Sequence, residues 1–245
     1  MPKRSRAAPR SAQLLLPLPG ISAAGARRRG RKPSLGRRSV RHRAREAHSA
    51  AHPVHVVLRS RLRSLRTQFV FPTVRRALSQ ATRARGDFRV TQFSVQGDHL
   101  HLIVEASHKS ALSRGMQGLA IRVARAVNRL IFRRGKLWAD RFFSRELKSP
   151  RVVRNALAYV LDNFRKHRAR GGAWIDPYSS APYFNGFRGL RGRAPHELTA
   201  CSELPLTPRG VSPPATEQDI PIVQARTWLA NTGWRRAGLI AFRAT

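Results

Sequence analysis

"DFRVTQFSVQGDHLHLIVEA", residues 87–106, decides the fold. Two apolar runs flank Gln96-Gly97-Asp98, a tight-turn tripeptide, so 87–95 and 98–106 read as the two arms of a β-hairpin. In the first arm the apolar parity switches from Phe88 and Val90 to Phe93 and Val95, which places a bulge near Thr91 and Gln92. In the second arm alternate side chains share a face. Leu100, Leu102 and Val104 point one way, and His99, His101, Ile103 and Glu105 point the other. The strand has one apolar face and one carrying two imidazoles.

Outward from the hairpin, "HVVLRS" (55–60) is strand-like, and "FPTVRRALSQATRARG" (71–86) is helical, with Pro72 near its start and Gly86 at its end. Downstream, Leu112, Met116, Leu119, Val123, Ala126 and Leu130 recur at steps of three and four, giving a helix of about six turns that ends at Gly135. Its other face carries Arg122, Arg125, Arg129 and Arg133. Residues 136–148 alternate as a strand, and 149–172 form a helix with a Ser-Pro start and a Gly-Gly stop. The order β-α-β-β-α-β plus one more helix predicts an α+β domain over 53–172. Its plan is a ferredoxin-like or RRM-like antiparallel sheet, helices on one face, an additional C-terminal helix, and the other face open. Residues 1–52, rich in Arg, Pro, Ser, Gly and Ala, read as a disordered basic arm. Residues 173–245 read as a Pro/Gly-rich irregular tail in which 221–242 form one or two short helices.

The composition names the kind of partner. Lys and Arg number 48 against 12 Asp and Glu, a formal net charge of +36 over 245 residues. Such an excess points to a polyanion, nucleic acid first. The single cysteine, Cys201, excludes a disulfide framework and a multi-cysteine zinc site and suits a reducing compartment. The apolar run near the N-terminus is cut by Pro17 and Pro19 and leads into an Arg-rich segment, unlike a secretory signal. No stretch approaches the eighteen or so apolar residues of a membrane span. The expectation is a cytoplasmic, nucleoid-associated protein with no membrane partner.

His99 and His101 lie roughly 7 Å apart at Cα on an extended strand, a span two imidazoles can close onto one metal ion with bonds of about 2.1 Å. Glu105 shares the face but is roughly 13 Å from His101 along the strand, so a further ligand has to come from elsewhere. The 149–172 helix offers one. Val153, Leu157, Val160, Leu161 and Phe164 make its buried stripe, while Tyr159 and Asn163 sit together on one flank with Lys166 a turn further. Laid across the open sheet face, that helix would bring Asn163 to the histidines as an oxygen ligand and Tyr159 to a bound phosphate. Two imidazoles and an amide, taken as residue types, also admit zinc.

"HLH" (99–101), "LWADRFF" (137–143) and "YVLDNFRKH" (159–167) together resemble the single-tyrosine HUH transposases, the insertion-sequence and REP-associated tyrosine transposase family with an IS200-like domain. The resemblance implies His99, His101 and Asn163 as metal ligands, Tyr159 as nucleophile and Mg²⁺ or Mn²⁺ as cofactor. It implies cutting and rejoining of single-stranded, hairpin-associated DNA through a 5′-phosphotyrosine link, and, from the family only, a homodimer. Two departures stand out. Phe164 replaces the proline usual after the asparagine, and Gln96-Gly97-Asp98 replaces Met-Pro-Asn. Lys166 and the stripe Arg122, Arg125, Arg129 and Arg133 are expected to contact DNA phosphates. The alternative is a non-enzymatic nucleic-acid-binding protein that reads bases on an open RRM-like sheet.

Overall fold

The structure, a computed structural model, describes residues 47–162, 175–190 and 222–241. Strands β1 (Val54–Arg59), β2 (Phe88–Val95), β3 (His99–Ala106) and β4 (Phe143–Glu146) form one antiparallel sheet in the order β2-β3-β1-β4. Helix α1 (Phe71–Arg83) joins β1 to β2, α2 (Lys109–Leu130) joins β3 to β4, and α3 (Pro150–Asp162) follows. This is the ferredoxin-like arrangement with an additional helix. The hairpin forms as its sequence predicts. Pairing passes from Val90 opposite Val104 to Gln92 opposite Ile103, so Thr91 is the extra residue of a bulge, and its hydroxyl donates to the Ile103 carbonyl at 3.0 Å. The bulge explains the parity switch, because it leaves Phe88, Val90, Phe93 and Val95 all buried on one face.

That face packs on α1 and α2. Val54, Val56 and Leu58 of β1 and Leu100, Leu102 and Val104 of β3 join Val74, Leu78, Met116, Leu119 and Val123 in one core. The close approach of α2 to β2 depends on Gly115, since a Cβ there would collide with the ring of Phe88. Helix α2 ends earlier than expected. It stops at Leu130 rather than running to Gly135, because Phe132 takes the left-handed conformation, φ 51°, that closes the helix. The strand expected over 136–148 is confined to Phe143–Glu146. The preceding segment is fixed by side chains instead: Leu137 enters the core, and Trp138, bridged to Ser60, donates its indole N–H to the Ala120 carbonyl at 2.9 Å.

The other face is not open. Ile103 of β3 begins a second core with Val153, Leu157, Val160 and Leu161 of α3, extended by Ile175, Phe184, Phe187, Leu229, Trp234 and Ile240. The segments 175–190 and 222–241, which composition reads as tail, thus pack into the domain. They carry a two-stranded parallel pair, β5 (Phe187–Arg188) and β6 (Ile240–Ala241), and the short helix α4 (Trp228–Asn231). The outer edge of β2 is covered by backbone hydrogen bonds: Val95 N–H to Tyr178 O, Ser180 N–H to Phe93 O and Val223 N–H to Val90 O. Asp176 anchors the first segment through a two-pronged ion pair with Arg66 at 2.6 and 2.9 Å. Burial pushes the Asp176 carboxyl up, against the pull of that guanidinium. Of the expected basic arm, residues 1–46 lie outside the described residues, and His48 bonds Glu146 Oε1 of β4 through its Nδ1 at 2.8 Å. Among the described residues no helix is long and apolar enough to cross a membrane.

Candidate active site

The register of β1 on β3 sets the site. Val57 lies opposite His101, Arg59 opposite His99 and His55 opposite Ile103, so His55 shares the face of the two predicted histidines. The rings of His99 and His101 are 4.7 Å apart between centroids, and His55 lies 5.4 Å from His101. His55 is a third imidazole that sequence reasoning missed. Its segment was legible as a strand, but which of its residues face the histidines follows from the pairing register, which no local pattern announces.

Each histidine of the His-Leu-His strand has its Nδ1 engaged by a neighbour. His99 Nδ1 donates to Asp98 Oδ1 at 2.7 Å, and His101 Nδ1 shares a hydrogen bond of 3.2 Å with His55 Nε2. The His99 imidazole holds the Asp98 carboxyl below its ordinary range, helped by Arg59. His55 is pushed down from 6.5 to about 4, first by burial and then by the Arg145 guanidinium, so it is a neutral ring at neutral pH. This pattern is that of metal-ligating imidazoles, whose second nitrogen is oriented by a carboxylate or another polar group while Nε2 coordinates. The donor chemistry therefore fits a divalent ion at His99 and His101. Among the described residues no group of three His, Cys, Asp or Glu could hold a metal by itself. The turn residues that depart from the family pattern take part. Asp98 supplies the carboxylate, and the backbone of Gly97 packs where a Cβ would approach the Arg63 carbonyl at 3.1 Å.

Tyr159 is brought to the same place from the opposite layer. Ser149 starts α3 by accepting from Val152 N–H and Val153 N–H, and the stripe Val153, Leu157, Val160 and Leu161 buries against Ile103. Tyr159, on the flank of that stripe, is 37% exposed. Its ring meets His101 edge-on at 5.2 Å and His55 at 5.9 Å. A partly exposed phenol, three imidazoles and a carboxylate thus converge within one chain. Asn163, Phe164 and Lys166 lie outside the described residues.

Glu105 is occupied elsewhere, as its distance along the strand required. Its buried carboxylate accepts from the backbone N–H groups of Arg226 and Thr227, both at 2.9 Å, and from the Thr227 hydroxyl at 2.7 Å. Arg89 adds an ion pair at 3.8 Å. The predicted arginine stripe stands apart from the histidines. Arg122, Arg125 and Arg129 are exposed, but α2 packs on the face of the sheet away from His99 and His101. Arg133 is partly consumed, bonding Asn128 Oδ1 and the Lys136 carbonyl.

Residues 49–163 match the family described as transposase IS200 like. A solved REP-associated tyrosine transposase bound to a REP hairpin is 16% identical, with 77% of this chain and 93% of that one aligned and a TM-score of 0.49. A protein from Deinococcus radiodurans R1 classed as a transposase is 13% identical over 55% of this chain and 100% of its own, with a TM-score of 0.35. No curated protein matches the chain.

Proposed function

We propose, from the premise that residues 49–163 are a domain of the transposase IS200-like family, that this transposase cuts and rejoins single-stranded DNA through Tyr159. The observation that carries the proposal is the convergence of Tyr159 on His101, 5.2 Å ring to ring, from an element packed across the sheet from α1 and α2. The Tyr159 oxygen attacks the scissile phosphorus. The new bond joins that oxygen to phosphorus, the bond to the 3′-oxygen of the preceding nucleotide breaks, and the phenolic proton is lost as the 3′-hydroxyl gains one. The products are a 5′-phosphotyrosine and a free 3′-hydroxyl, and a second 3′-hydroxyl reverses the reaction to join strands. His99 and His101 would hold Mg²⁺ or Mn²⁺ with Asn163 as the third ligand. Such an ion polarises the phosphate and steadies charge on the leaving oxygen when bound. Asp98 and His55 keep the two ligand rings in orientation. Hairpin-flanked DNA is the substrate class, with Lys166 and the α2 arginines on its phosphates. A module reading bases on an open sheet is disfavoured, because α3, 175–190 and 222–241 cover that face.

The test is a covalent adduct. Labelled single-stranded hairpin DNA is incubated with the chain and Mn²⁺ and resolved on a denaturing gel. A slow-migrating species with wild type, absent with Tyr159→Phe, is expected. Adduct that survives Tyr159→Phe would place the nucleophile elsewhere.

A further inference from the structure

Phe132 is the most exposed large apolar side chain of the described residues, at 96%, and it is their one non-glycine residue with positive φ. Both features belong to one turn. Arg133 N–H returns to the Asn128 carbonyl at 2.8 Å and Phe132 N–H to the Arg129 carbonyl at 3.3 Å. This is the paired 6→1 and 5→2 closure of a Schellman motif, and Phe132 occupies the position where glycine is ordinary. The turn is tied further. Asn128 Nδ2 donates to the Gly135 carbonyl at 2.8 Å, Arg133 Nη1 donates to Asn128 Oδ1 at 3.1 Å, and Arg133 Nη2 donates to the Lys136 carbonyl at 3.0 Å. A strained residue with an aromatic ring in water, on a braced turn, is a feature that folding alone does not favour.

The surroundings indicate what the ring meets. Arg129, Arg134 and Lys136 are exposed around it, and residues 129–136 contain no acidic side chain. The chain leaving the turn runs along the end of the sheet that holds the site. Ala139 N–H bonds the Arg59 carbonyl and Arg61 N–H bonds the Leu137 carbonyl, and Arg59 lies opposite His99. One projecting ring in a cationic surround suits a single nucleobase, since a protein surface needs a contiguous apolar patch and a base offers a π-face beside its own phosphate.

We infer that Phe132 is a stacking platform for an unpaired base of the DNA strand, held at the His99 end of the sheet by the Schellman turn. The inference rests on the proposal that this chain acts on single-stranded DNA. It names a contact which neither charge nor the catalytic cluster supplies.

The turn conformation provides a clean test. Phe132→Gly relieves the positive φ, so folding is preserved while the ring is removed. Binding of the full chain to a fluorescent hairpin with a single-stranded flank is measured by anisotropy in EDTA, which keeps strand cutting out of the readout. The expected results are a melting temperature for Phe132→Gly no lower than wild type, affinity reduced about five- to a hundredfold, and near-wild-type affinity for Phe132→Trp. The slope of log Kd against log salt should be unchanged by Phe132→Gly and reduced by about one for Arg134→Ala. Affinity of Phe132→Gly within twofold of wild type would overturn the inference. So would a wild-type mass in light scattering that falls to monomer in Phe132→Gly, which would make the ring a contact between copies of the chain. Absence of the covalent adduct in wild type, with the Phe132-dependent affinity intact, would refute the cutting proposal alone.

Discussion

Replacing Glu105 by alanine should detach the C-terminal segment 222–241 and disturb the site from a distance, without touching a histidine or Tyr159. The Glu105 carboxylate is 4% exposed and accepts three hydrogen bonds of 2.7–2.9 Å, all from Arg226 and Thr227. Hydrogen bonds to a charged acceptor contribute about 1.5–3 kcal/mol each, but the donors rehydrate once the segment moves away, so the values do not add. Removing one member of a buried pair costs about 3–5 kcal/mol, because Arg89 is left desolvated beside the vacated space. The lower half of that range applies here, since a segment that lifts off readmits water. Glu105→Gln retains an acceptor and should cost about 1–2 kcal/mol. The consequence follows from packing: Leu229, Trp234 and Ile240 complete the core under α3, so their release loosens the helix that positions Tyr159. Urea unfolding followed by circular dichroism and by tryptophan fluorescence should lose coincidence in Glu105→Ala, and limited proteolysis should release the segment first. On the proposed mechanism, adduct formation should fall while Mn²⁺ affinity at His99 and His101 is kept. A Glu105→Ala protein with wild-type stability and protease resistance, or one that loses Mn²⁺ binding while fully folded, would refute the anchoring argument.

Acidification should loosen the segment 47–53 where it packs on β4. Burial raises the Glu146 carboxyl, but the His48 hydrogen bond, the Ser49 N–H and His52 outweigh it and hold the group below its ordinary 4.5. A carboxylate depressed in the folded state stabilises it above the unfolded value, and that contribution is lost as pH falls through the folded value. Hydrogen exchange at residues 47–53 should therefore accelerate as pH falls below about 4.5, after correction for intrinsic rates. His48→Ala should remove most of that dependence, and an unchanged profile would refute the assignment. Arg122→Ala, Arg125→Ala and Arg129→Ala should each lower the salt slope of DNA binding by about one and leave adduct yield on saturating DNA unchanged. A slope that does not respond would mean that the back face of α2 meets no DNA.

What the sequence made legible, and what it did not, divides along one physical line. The hairpin, the bulge at Thr91 and the two amphipathic helices follow from patterns within a few residues of each other, and all of them are present. The position of Tyr159 beside His101 followed from a helix wheel combined with an open sheet face, and the two rings do meet. Features set by pairing or by distant packing were not legible. His55 joins the site through strand register, and the C-terminal segment is drawn in through Glu105, whose partners lie 121 and 122 residues away. The end of α2 was misread for a different reason. Gly135 is the ordinary residue for a helix stop, and the chain instead places a phenylalanine in the left-handed position three residues earlier.

Strand β3 shows why this architecture tolerates little slippage. Leu100, Leu102 and Val104 belong to the core under α1 and α2, while Ile103 belongs to the core under α3. His101 meets Tyr159 with His99 beside it, and Glu105 anchors the C-terminal segment. A shift of one residue would exchange these sets, sending two imidazoles and a carboxylate into the α1/α2 core and two leucines and a valine toward α3. The register is held from both sides. Toward β1, Val54, Val56 and Leu58 stand opposite Val104, Leu102 and Leu100. Toward β2, the bulge at Thr91 keeps Phe93 and Val95 in the core while Ser94 falls opposite His101. Leu100, Leu102 and Val104 thus supply the free energy that fixes the register, and His99 and His101 inherit their geometry from it. Two imidazoles that belong to neither apolar cluster are held in place on this strand because every alternate residue beside them is committed to a core.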